Sequence, residues 1–169
     1  MPELSKAESE VANLAGKYLT FMLGPETYGL DILKVQEIIG LLPITRVPKA
    51  PDSIRGVINL RGKVIPVMNL ASRFGLPSRE DTARTCIIVV EMERGDSSVT
   101  MGLIVDEVSE VVSIGAENIE PAPDLGASVD AAYLLGMGKI GEKVVLLLDL
   151  GCIIDVDTLA RHAFADPDQ

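Results

Sequence analysis

The chain has 169 residues, 47% of them hydrophobic and 24% charged, with a net charge of −10 and only two cysteines. At that size folding buries roughly two thirds of the unfolded surface, so a real core is available to one domain or two small ones. The acidic balance excludes a protein that tracks phosphate backbones with clustered Lys and Arg, 4% aromatics with no Trp leave no platform for stacking single-stranded bases, and two cysteines are too few for a disulfide scaffold.

Residues 1–16, "MPELSKAESEVANLAG", are rich in Glu, Ser, Ala and Lys and predict a mobile tail or a loose helix. They carry acids where a secretory signal has a basic start, and no apolar run in the chain approaches a membrane span, which predicts a cytoplasmic protein without direct membrane insertion. From Tyr18 onward the apolar runs are short and closely spaced: "YLTFMLG", "TYGLDI", "GVINL", "KVIPVMNL", "TCIIVVEM", "VTMGLIVDEV", "EVVSI" and "KVVLLLDL". Most are of strand length, rich in Val and Ile and bounded by Gly, Pro, Asp or Asn, which predicts an all-β barrel or sandwich. Two stretches read as helices. "NLASRFG" would be stopped by Gly75 and Pro77, and the terminal "DVDTLARHAF" would be capped by Asp155 or Asp157.

The chain also repeats itself. With a shift of 73, Gly29, Leu30, Val35 and Glu37 fall on Gly102, Leu103, Val108 and Glu110, and with a shift of 80, Gly56, Lys63, Val64 and Leu70 fall on Gly136, Lys143, Val144 and Leu150. Two copies of one β unit follow, with the charged "SREDTAR" (78–84) as the expected join. Each copy is too short to bury a sandwich core alone, which predicts two five-stranded barrels packed on a shared apolar seam.

The duplication separates two charges in "NLRGKV". Lys63 recurs as Lys143 and reads as a hairpin charge lifted into water. Arg61 has Gly141 as its counterpart, so the turn can be built without a guanidinium; a solvated turn charge and a partner-binding role both remain open for it. Glu37, matched by Glu110, reads as the exposed side of a strand.

"YGLDILKVQEIIG", "GVINLRGKVIPVMNL", "GLIVDEVSEVVSI" and "IEPAP" in that order resemble the CheW-type chemotaxis coupling proteins, from about Lys17 to Ile154. The resemblance implies two SH3-like β-barrel subdomains, like those in the regulatory domain of the chemotaxis histidine kinase CheA, spanning 17–154. Residues 155–169 would follow as a short helix and acidic tail. It implies an adaptor without catalysis or cofactor, which bridges CheA and the cytoplasmic hairpin tip of chemoreceptors in membrane-associated arrays. Carried over residue by residue, it ties Glu37 and Arg61 to coupling and places Val35, Ile58, Leu60 and Val105 along the groove for the receptor's helical tip. Leu19, Ile32 and Gly56 would face the kinase's regulatory domain. Ordinary core is the other reading of these aliphatic positions, because alternation does not say which strand face looks outward.

Enzyme chemistry has little material. "GMGKIG" (136–141) has the spacing of a dinucleotide-binding loop, yet it runs into a strand-like "EKVVLLLDL" where a helix is required. His162 is the single histidine, and Cys86 and Cys152 lie 66 apart without CxxC partners, so neither a metal site nor His-dependent nucleophilic catalysis is predicted. Asp106 and Glu107 are adjacent in a strand-like run and would point to opposite faces, unsuited to joint acid/base work. An SH3-like binder of another kind is the second class of function, opposed by the shortage of aromatics that line proline-peptide grooves, and a nucleotide-dependent enzyme the third.

Overall fold

Continuous apolar runs such as residues 86–90 arise when a strand is covered on both faces, and this condition shapes the whole molecule. The computed structural model describes residues 13–77, 80–94, 96–121 and 133–154. Eleven strands appear there in chain order: β1 (Gly16–Leu23), β2 (Glu26–Asp31), β3 (Val35–Gly40), β4 (Ile54–Leu60), β5 (Lys63–Asn69), β6 (Cys86–Arg94), β7 (Ser97–Val105), β8 (Glu107–Ile114), β9 (Ile119–Pro121), β10 (Leu134–Ile140) and β11 (Lys143–Leu148). One sheet has the order β8-β1-β2-β11-β10-β9 and the other β3-β6-β7-β5-β4.

Neither sheet is made from one copy of the repeat. The first copy supplies β1 to β5 and the second β6 to β11, and each opening hairpin is inserted among the other copy's strands. Thus β1 and β2 lie between β8 and β11, while β6 and β7 lie between β3 and β5. The two junctions made by this exchange, β2 with β11 and β5 with β7, are parallel, and every other pairing is antiparallel. The chain passes between sheets after Asp31 and again at Asp106. The stretch 78–84, of which 78–79 lie outside the described residues, leads from β5 to β6 within one sheet and marks the boundary of the copies in sequence rather than in space.

Alternation divides the side chains among three cores. On β6, Ile88 and Val90 face the seam between the sheets, while Ile87 and Val89 face a smaller core inside the second sheet with Ile58, Ile65, Val67 and Ile104. On β1, Leu19, Phe21 and Leu23 face the seam, while Tyr18 joins Ile114, Ile119, Val145 and Leu147 inside the first sheet. Each large aliphatic buried in this way stabilises the fold by about 1.5–3 kcal/mol. Phe21, Tyr28, Phe74 and Tyr133 stack in series at centroid spacings of 5.9, 5.7 and 5.2 Å and tie the first sheet to the segment after β5.

The predicted first helix is present as α1 (Leu70–Arg73): Asn69 Oδ1 accepts from Ser72 N at 3.1 Å, and Gly75 at φ +73° follows its end. A second, α2 (Leu150–Ile153), is capped by Asp149. The helix predicted from residue 155 and the tail predicted over 1–12 lie outside the described residues, and β1 already starts at Gly16.

Candidate functional site: the β4–β5 turn and the edge strand β3

The hairpin joining β4 to β5 turns through two residues, Arg61 at φ +53° and Gly62 at φ +88°. Two left-handed residues in succession match the twist of the flanking strands, which is why such turns favour glycine and asparagine. Asn59 Oδ1 fixes the turn by accepting from Gly62 N at 2.8 Å. An arginine at the first position costs about 1–2 kcal/mol relative to glycine, because its Cβ crowds the backbone. Strain held at one side chain directs attention to what that side chain does.

The Arg61 guanidinium donates to Glu37 Oε2 on β3. Since β3 and β4 occupy opposite ends of the second sheet, this contact shows that the sheet curls far enough for side chains from its two ends to meet. Two backbone hydrogen bonds between Thr45 and Val57, at 2.9 and 2.8 Å, bind the connection after β3 to β4. Along β3, Val35, Glu37 and Ile39 form a half-buried face, while Gln36, Ile38 and Gly40 are exposed. Glu37 was expected on the open side of its strand, but its side chain is only 31% exposed, while that of Arg61 is 68% exposed. The arrangement is therefore a partly buried carboxylate paired with a largely solvated guanidinium. Leu60 beside Arg61 packs on the small core of the second sheet, and Val35, two residues before Glu37, packs on the seam. The ion pair thus brings Glu37 and Arg61 together across the sheet, with Leu60 beside Arg61 and Val35 two residues before Glu37, on the other side of a bulge in β3.

The other expected contact positions are placed differently. Ile58 and Val105 are 1% exposed and Leu19 is 2% exposed, so these three are core residues that offer no side-chain surface to a partner. The strands of Leu19 and Val105 are covered on both faces, which makes either phase of the alternation an inside phase, while Ile58 lies on the buried phase of β4. Gly56, at φ +151°, does permit a close approach, but an internal one: a Cβ there would stand 2.2 Å from Thr45 O. Ile32 is half-buried against the seam in the single turn of 3-10 helix at Ile32–Lys34, and Leu33 beside it is 87% exposed. The sequence reading passed over Leu33, for which "DILK" gives no signal beyond the break between β2 and β3.

"GMGKIG" does not form a phosphate loop. Gly136 and Gly138 are buried within β10, and Gly141 opens the hairpin to β11. Among the described residues no group of three or more His, Cys, Asp or Glu is placed to hold a metal ion. Partial burial, helped by a hydrogen bond to Asp149, pushes the Cys152 thiol above its ordinary value, which leaves it protonated and weakly nucleophilic near neutrality. No helix among the described residues is long and apolar enough to cross a membrane.

Comparison with known proteins places this geometry in context. Residues 17–158 match the CheW-like domain family. The chain is 38% identical over 155 residues to the chemotaxis protein CheW of Klebsiella aerogenes, covering 89% of this chain and 91% of that protein. It is 32% identical over 154 residues to the CheW of Bacillus subtilis, covering 90% and 94%. Its fold is similar to the crystal structure of the scaffolding protein TtCheW from Thermoanaerobacter tengcongensis, with a TM-score of 0.75 and 38% identity over 86% of this chain and 91% of that one.

Proposed function

Because the chain belongs to the CheW family of chemotaxis proteins, we propose that it is a non-catalytic cytoplasmic adaptor, working over residues 17–154, that couples the hairpin tips of chemoreceptors to the kinase CheA. The receptor tip is an α-helical hairpin, and a helix laid on a groove takes affinity from apolar anchors and register from charge. The paired Glu37 and Arg61 supply the charge, and Leu60 beside Arg61 supplies a partly buried apolar neighbour. The observation that carries the reading is the left-handed Arg61 bound to Glu37, where the duplicated hairpin uses Gly141 at φ +60° and no guanidinium. Glu37 holds the guanidinium upright at the rim, within reach of a carboxylate or carbonyl of the docked helix.

For the kinase contact, Ile32 is the one of the three expected positions that presents side-chain surface, and Leu33 extends it. This surface lies on the short turn leading into β3.

The test separates the two contacts. Arg61→Gly should weaken binding to a receptor-tip fragment about five- to tenfold, as expected for one rim charge, and leave binding to the CheA regulatory domain unchanged. Leu33→Ser should do the reverse. Full receptor binding by Arg61→Gly would remove Arg61 from the coupling surface.

A further inference from the structure

The charge of the chain is unevenly placed. Residues 41–77 carry six Lys or Arg (Arg46, Lys49, Arg55, Arg61, Lys63 and Arg73) and a single acid, Asp52, within a chain of net charge −10. Three of these cations gather on a groove of about 680 Å³ between the β3–β4 connection and α1. Arg46, Lys49 and Arg55 line it together with one acid, Asp52, and its apolar lining includes Val47, Ile54 and Leu76.

These three cations are not in the same condition. Arg55 is held in a two-pronged contact with Asp81, its Nη1 and Nη2 donating to the two carboxylate oxygens at 3.0 and 2.5 Å. Arg46 and Lys49 are exposed, and among the described residues no hydrogen bond or ion pair engages either. Lys49 also stands at φ +62°, a left-handed position for a residue with a side chain. Pro43, Pro48 and Pro51 fix φ along the same connection, so little backbone freedom remains to be lost when something docks.

We propose that this groove is a second docking surface, for an acidic segment of a partner protein whose carboxylates pair with Arg46 and Lys49 and whose apolar side chains cover Val47, Ile54 and Leu76. Charge complementarity selects the occupant: two unpaired cations beside apolar side chains repel a basic segment, give a neutral one no charge pairing, and attract an acidic one. The groove does not include the surface of Glu37 and Arg61, so the inference stands independently of the receptor contact.

The probe is a synthetic peptide of repeated Glu-Leu-Leu-Glu units, titrated against the full chain by fluorescence anisotropy at low and at physiological salt, with a Lys-Leu-Leu-Lys peptide and inorganic phosphate as comparisons. The expected result is saturable binding of the acidic peptide only, weakened about tenfold by the double variant Arg46→Ala/Lys49→Ala and by added salt, and unchanged by Arg61→Gly. Circular dichroism should show the double variant folded, since both side chains are exposed and outside every core. Equal binding by the double variant would overturn the proposal. So would displacement of the peptide by millimolar phosphate together with equal binding of a Glu-Ser-Ser-Glu peptide, since the groove would then be an anion site without an apolar contact. Loss of peptide binding in Arg61→Gly but not in the double variant would assign the peptide to the receptor surface and likewise overturn it.

Discussion

The two hairpins at positions 60–63 and 140–143 are the same device built twice. Each joins strands that open on a glycine set close to a neighbouring backbone carbonyl: a Cβ at Gly56 would meet Thr45 O at 2.2 Å, and one at Gly136 would meet Glu120 O at 2.8 Å. Each begins its turn with a left-handed residue, at φ +53° for Arg61 and φ +60° for Gly141. They diverge in what the turn carries. In the first copy the guanidinium reaches back to a half-buried Glu37, and in the second Glu110 is exposed and the turn carries a bare glycine. Shared features of a duplication report what the fold requires, and the divergent ones report what one copy does alone. By this comparison the glycines and Lys63 are architectural, and the strained arginine is what the first copy adds.

The comparison can be broken most directly at its structural end. Gly56→Ala forces a Cβ into Thr45 O and should destabilise the fold by roughly 3 kcal/mol, with Gly136→Ala milder because its clash is looser. Leu19→Ala, which opens a hole in the seam, should lose about 2–5 kcal/mol. Urea denaturation measures all three, and a stable, kinase-deficient Leu19→Ala would return Leu19 to the surface. Next, Gly141→Arg imposes on the second turn the strain that the first one bears, and should cost about 1–2 kcal/mol without creating a second receptor contact in a pull-down. Arg61→Gly is the reciprocal change. Its melting should stay within about 1 kcal/mol of the parent, since relief of strain offsets an exposed ion pair and a freer unfolded chain, while receptor coupling falls.

The smallest effect concerns acid. Arg55 holds the Asp81 carboxyl below the usual aspartate range, chiefly through the two-pronged hydrogen bond. A depressed folded-state value contributes stability that is present above the unfolded value, near 4, and is lost as pH falls through the lowered one. Asp81→Asn should therefore flatten the acid limb of the stability profile slightly, because both side chains are about a third exposed. A profile unchanged by Asp81→Asn would show that the pair contributes nothing in solution.

Strand positions, the duplication, the shared seam and the helix after Asn69 were legible in the sequence because each leaves a local trace: a short β-branched run, a repeated glycine, a cap. The exchange of hairpins leaves none, since β1 pairs equally well by composition with any apolar neighbour and only tertiary packing chooses β8. The same limit explains the misplaced contacts. Two-sided burial erases the alternation that would have marked Leu19 and Val105 as interior, whereas β4 does alternate, with Ile58 on its buried phase. Glu37 escaped for a different reason: its repeat partner Glu110 is exposed, whereas Glu37 lies on the half-buried phase of β3 with Arg61 over it. The groove of Arg46 and Lys49 did have a signal, two cations in "TRVPKAP" within an acidic chain, and it passed unused.

The exchanged hairpins also bear on how the protein is made. When β1 and β2 emerge from the ribosome, both of the strands that will flank them, β8 and β11, are still unsynthesised, the nearer one beginning at Glu107. At about 5–20 residues per second, the opening hairpin waits for seconds with two open edges and an uncovered apolar face. A nascent chain in that condition is a natural client for a ribosome-associated chaperone, and pulsed synthesis with arrest before and after β8 would show when that protection ceases to be needed.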